Sequence, residues 1–305
     1  MAGPLRLGLC CGFVANEALR FRTTTVRYAS TLAPAARVTF LYDLAEHNVD
    51  TLGATVRWCA ERGIFAFRVT SGLLPLYTHP VARYRLTEHR RGARLRERLA
   101  GVGKLASELG VRLSFHPDQF VVLGSVNEST IAASIAELEY QAECAELLGA
   151  DQLTLHGGGA VGGKQEALGR LRDALPRLSS RARSRLVLEN DDRVYTVADL
   201  LPLCHEQGIP LLYDVHHHRC NPDGLSIADA TRAACETWRG REPFFHVSSP
   251  AAGWSQGDPR PHADFIKPSD LPREWLDLKA TVDVEAKKKE LAVLRLQRWL
   301  NARAA

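Results

Sequence analysis

Eight short apolar runs recur along the chain, and six of them deliver a side chain able to bind a divalent cation at or near the last residue. The third run ends at His116, the fourth at His156, the fifth at Glu189 and the sixth at Asp214; the seventh carries His246 and the eighth ends at Glu285. One histidine at such a place is ordinarily a hydrogen-bonded core residue. Six such groups at equivalent places are not explained by packing, because ionisable side chains are seldom buried without a partner or a metal. Imidazoles and carboxylates without a thiolate suit manganese, zinc or iron in preference to copper(I). So many donors imply two or three ions sharing a carboxylate. Two divalent ions ~4 Å apart suit phosphodiester hydrolysis, one activating water and the other steadying the leaving oxygen.

The sixth run is the densest. Leu211-Leu212-Tyr213-Asp214-Val215-His216-His217-His218 starts as a buried strand and ends in one carboxylate and three imidazoles. That ending makes a poor core and a poor hairpin turn, but it suits a strand that hands ligands to the open end of a barrel.

The runs fall at 5–10, 64–69, 112–116, 152–156, 185–189, 210–214, 243–247 and 281–285, each followed by helix-like sequence. This alternation predicts an α/β fold, a single (β/α)8 TIM barrel over 1–305, and the count of eight disfavours a doubly wound sheet. All strand C-termini of such a barrel open on one mouth. In 127–148, Ile131, Ile135, Leu138, Ala142 and Ala145 form a core-facing stripe, with Asn127 as N-cap and Gly149 as stop. A helix over 44–62 is closed by Gly63, and one over 288–302 is expected to turn Leu291, Leu294 and Trp299 inward.

The stretch 79–98 holds Arg83, Arg85, Arg90, Arg91, Arg94, Arg96 and Arg98 against only Glu88 and Glu97. It reads first as a solvated helix face, with a phosphate-contacting surface as the alternative. The net charge of +4 permits nucleic-acid binding without requiring it. The seven cysteines are odd in number and none forms a C-x-x-C pair, which points to reduced thiols in the cytosol. The N-terminal stretch lacks the charged and apolar regions of a signal peptide, and no apolar run approaches the ~20 residues of a membrane span.

These residues lie in segments that resemble the UV damage endonuclease family, relatives of endonuclease IV among the xylose isomerase-like barrels. The segments are FRTTTVRY (21–28), LSFHPDQFVVLGS (113–125), LTLHGGG (153–159), LVLENDD (186–192), the DVHHH run, FHVSS (245–249), PHADFI (261–266) and VEAK (284–287). The resemblance implies that His116, His156, Glu189, Asp214, His217, His246, His262 and Glu285 are metal ligands. Glu189 would bridge the ions, with Glu189 and His217 at the centre of the chemistry. It implies manganese as first choice, with zinc, iron or magnesium as alternatives, and no organic cofactor. His217 is preferred to His216 because the family places this ligand three residues after the aspartate. His216 is then expected to point into the barrel wall and His218 to lie near the rim, supporting the ligands from behind or contacting substrate. Gln119 and Phe120 correspond to the family's damage sensor, a glutamine and an aromatic wedged into the duplex. His79 corresponds to a histidine near the lesion, and Asn190 is expected beside the bridge as an orienting amide or substrate contact.

Two positions depart from the pattern. Phe244 stands where relatives carry a lysine that becomes modified beside the metals, and Leu9 where they carry a tyrosine. The reading is a monomeric, cytoplasmic DNA repair endonuclease that nicks damaged double-stranded DNA 5′ to UV photoproducts. The alternative, motivated by Leu9, Phe244 and the modest net charge of +4, is a metalloenzyme of the same barrel group acting on a small molecule or modified peptide.

Overall fold

In the computed structural model, which describes residues 5–304, every one of the eight runs is a strand: β1 (Leu5–Cys10), β2 (Ala66–Val69), β3 (Arg112–Phe115), β4 (Leu153–His156), β5 (Leu186–Glu189), β6 (Leu211–Asp214), β7 (Phe244–Val247) and β8 (Ala280–Val284). They pair in parallel in chain order, and β8 returns to β1 to close the barrel. Met1–Pro4 and Ala305, the ends of the expected 1–305 domain, lie outside the described residues. His116 and Glu285 sit one residue beyond their strands, where the backbone has left the ladder and opens on the mouth.

Successive strand residues face opposite sides of the sheet, so each strand serves two cores. Leu9, Phe67, Phe115, Leu188, Tyr213 and Phe245 point outward into one large layer beneath the helices. Val187, Leu212 and Phe244 point inward and, with Trp238, form a separate apolar floor. The ligand residues stand above that floor.

The helices follow their local signals. Asn127 caps Glu128–Leu148 by accepting from the Ser129 N–H, and Gly149 ends it in a left-handed turn at φ 66°. The helix expected from 44 starts earlier, at Pro34, which occupies the first turn where its missing N–H costs nothing. In the last helix, Lys289–Ala304, Leu294 and Trp299 pack against the core as expected, with Ala292, Val293 and Leu296 buried beside them, and Leu291 departs at 38% exposed. Three arginines of the basic stretch are neutralised. Arg91 pairs with Asp43 and Glu46, Arg96 with Glu143, and Arg98 with Asp50. These belong to a solvated helix face. Among the described residues no helix is long and apolar enough to cross a membrane, and all seven cysteines are unpaired.

Candidate metal centre

Each ligand group reaches the mouth for a local reason. β6 stops at Asp214 because that side chain caps the short helix Val215–Cys220, its Oδ1 accepting from the His217 N–H at 2.8 Å. The cap folds the chain back over the aspartate and carries His217 toward Glu189, with Nδ1 3.5 Å from Oε1. His216 turns the other way, its Nε2 3.2 Å from the Arg260 carbonyl and its ring edge-on to His262. The three adjacent histidines therefore point to three different environments.

Glu189 lies at the centre and is 1% exposed. Its Oε2 faces His116 Nε2 at 2.8 Å and His156 Nε2 at 3.6 Å; its Oε1 faces His246 Nδ1 at 2.9 Å. His246 Nδ1 also lies 3.4 Å from Glu285 and 3.9 Å from Asp214. Three groups of donors, each within 4.8 Å, result: His116, His156 and Glu189; Glu189, Asp214 and His217; Asp214, His246 and Glu285. Glu189 belongs to the first two and Asp214 to the last two, so the three candidate positions are linked by shared carboxylates. His262 stands at the edge, Nδ1 3.8 Å from Glu285 Oε2 and 3.4 Å from the Ser248 hydroxyl.

The donors fit a divalent cation. Asp214 Oδ2 is buried without a hydrogen-bond partner, which a cation would supply. The His116 and His217 rings contact the carbonyls of Pro117 and Asn190 through Nδ1, at 3.0 and 2.9 Å. For His116 that contact leaves Nε2 facing Glu189, the usual way a ligand imidazole is fixed. The His217 nitrogen that meets the Asn190 carbonyl is instead also the one nearest Glu189 and Asp214. Electrostatics agree. Burial opposes ionisation of Glu189, but His246, His156 and His116 outweigh it and hold the carboxyl well below the usual range. Burial also opposes charging of His246, yet Glu189 and Glu285 lift it to about 9. His217 is likewise raised, burial being overcome by Asp214 and Glu189. Burial lowers His156, only partly offset by Glu189. Buried carboxylates thus favour protons on His246 and His217 that a bound cation would have to displace.

The mouth is an open cavity of about 830 Å³ that includes His116, His156, Glu189, His217, His262 and Glu285, with Gln119, Arg193 and Arg260 around it. A cavity of about 870 Å³ at the opposite end, lined by Leu5, Phe65, Leu276 and Leu300, holds none of these groups. Phe120 is 70% exposed beside the mouth rather than packed under its loop. His79 lies in the loop after β2, outside the cavity lining, with Nδ1 accepting from the Val81 N–H.

His218 and Asn190 are both buried, and of the two roles expected of Asn190 its geometry supports the orienting amide, acting on Asp214. His218 is 4% exposed and bonded to the Tyr213 hydroxyl at 2.6 Å, with Asp223 3.2 Å from Nε2, so it locks the outer layer and does not reach the rim. Asn190 is fully buried; its amide clamps the Asp214 backbone, accepting from Asp214 N–H and donating to Asp214 O, both at 2.9 Å. It positions Asp214 and cannot touch substrate. Leu9 faces the helices, and Phe244 is in the floor with its ring centroid 6.3 Å from that of His246. Sequence reasoning missed Arg68, whose guanidinium reaches Glu285 Oε1 at 2.6 Å inside the barrel, and Asp283 beside it. A charged residue inside an otherwise apolar barrel strand was the available signal.

A UV DNA damage endonuclease of Bacillus velezensis is 32% identical over 308 residues, covering 95% of this chain and 93% of that protein. The crystal structure of SacUVDE superposes with a TM-score of 0.86 at 28% identity, covering 98% of this chain and 99% of that one. Endonuclease IV from Thermus thermophilus, at 17% identity and a TM-score of 0.62, shares the barrel fold over 98% of this chain and 100% of that one. The family model described as UV-endonuclease UvdE matches residues 5–304, and the chain belongs to that family.

Proposed function

We propose that this protein is a metal-dependent endonuclease that cleaves double-stranded DNA on the 5′ side of UV photoproducts or related lesions, leaving a 3′-hydroxyl. The observation that carries this reading is the row of three donor groups joined by Glu189 and Asp214 at an open mouth, in a chain of the UvdE family. His116, His156, Glu189, Asp214, His217, His246 and Glu285, with His262 at the edge, would hold two or three ions, manganese first. Bound there, the ions supply activation of water and neutralisation of charge on the phosphate. Glu189 would be shared by two of the ions, while the contact with the Asn190 carbonyl would fix the His217 ring. Gln119 and Phe120, both exposed, would enter a duplex unstacked at a lesion. Unpaired cysteines suit the reducing cytosol.

Of the grounds for a small-molecule substrate, Leu9 and Phe244 lose weight because neither side chain faces the mouth, and the modest net charge of +4 is compatible with either substrate. Manganese-loaded protein is expected to nick UV-irradiated supercoiled plasmid and to spare undamaged plasmid. Equal treatment of the two, with bound metal confirmed, would refute the repair reading.

A further inference from the structure

Asp283 is unexplained by the ligand set. Its side chain is fully buried on the inner face of β8, and neither carboxylate oxygen has a hydrogen-bond donor. Leaving such a group buried and unpaired is costly. The surroundings are nonetheless arranged to admit it. Across the ladder the neighbouring position of β1 is Gly8, where a Cβ would stand 2.1 Å from Asp283 Oδ1. Two cationic or hydrogen-bearing groups face it: Arg68 Nε at 3.7 Å and His246 Nε2 at 3.8 Å from Oδ2. Both lead to the metal centre. Arg68 continues to Glu285 Oε1, and His246 turns its other nitrogen, Nδ1, to Glu189, Glu285 and Asp214. Phe244, below His246, can offer that ring no hydrogen bond.

We propose that Asp283 is a positioning residue for the metal centre: its carboxylate keeps the proton of His246 on Nε2, so that Nδ1 faces the ions, and holds Arg68 against Glu285. This rests on the metal reading above. A carboxylate behind the non-ligating nitrogen is a general means of orienting a ligand imidazole, and its loss typically costs ~10–100-fold in metal affinity or activity.

Manganese binding to wild type and Asp283→Asn, read from the electron paramagnetic resonance of the free ion, tests it alongside the melting temperature of each metal-free protein. The carboxamide keeps the shape and loses the charge. Expected are ~10–100-fold weaker binding and a metal-free melting temperature unchanged or raised, because an amide is easier to bury than a carboxylate. A purely structural role cannot produce that split. Asp283→Ser, smaller in the same space, should repeat it. Binding within threefold of wild type would overturn the proposal, as would metal-free forms of both variants that unfold. A wild type that binds no manganese would overturn the metal reading and this inference together; binding by the wild type with no change in the variants would overturn this inference alone.

Discussion

Glu189→Gln is the most informative perturbation, because the carboxylate serves two donor groups and its charge governs the histidines around it. His246 is lifted from 6.5 to about 9, so its charged form is favoured by about 3 kcal/mol net, at 1.36 kcal/mol per unit. That excess remains after burial has acted against it, and Glu189 leads the groups that supply it, followed by Glu285. An amide of the same shape removes this source. The His246 titration in metal-free protein, followed by NMR of the imidazole, should therefore move down by roughly one unit or more. The same substitution takes an anionic donor from two positions at once. Bound metal per chain should fall, and nicking should drop by ~10³-fold, the equivalent of several kcal/mol of transition-state stabilisation. Metal content by mass spectrometry and plasmid nicking check both. A Glu189→Gln protein that holds the wild-type complement of metal, or nicks within tenfold of wild type, would refute the shared-carboxylate assignment.

Manganese must displace protons from His246 and His217, whose protonation is favoured above the ordinary imidazole range. Apparent affinity should accordingly rise by up to ~tenfold per pH unit for each proton released, and keep rising toward pH about 9; a flat dependence above neutrality in chelator competition would contradict this. Phe120→Ala should leave stability within about 0.5 kcal/mol, since the ring is largely exposed. It should weaken binding of damaged duplex by the ~1–3 kcal/mol of one stacking contact, read as loss of discrimination between irradiated and intact DNA. Gly8→Ala places a methyl against the enclosed Asp283 carboxylate and should cost ~1–3 kcal/mol in urea unfolding.

Much of what the chain determines locally is legible in it, although the helix that begins at Pro34 and the outward face of Leu291 are not. Strand positions came within one or two residues because apolar runs between helical periods are a local property, and the Asn127 and Gly149 caps are written in single residues. Cation-binding side chains at six strand ends were likewise visible, because barrel topology sends every such end to one mouth. The family resemblance pointed to His217 among three adjacent histidines; the spacing alone could not. Only the closed barrel decides which carboxylate is shared, since Glu189 meets His116 and His246 across 73 and 57 residues of chain. It also decides which face each strand residue takes: Leu9 goes to the helices, Phe244 to the floor, and Arg68 and Asp283 beneath the ligands. His218 and Asn190 could not be placed from sequence for the same reason, because their partners Tyr213, Asp223 and Asp214 are assigned by the turn after β6 and its packing on β5. Residue type and period are local and survive in one dimension. Convergence of distant side chains depends on strand register and closure, which exist only when the barrel is complete.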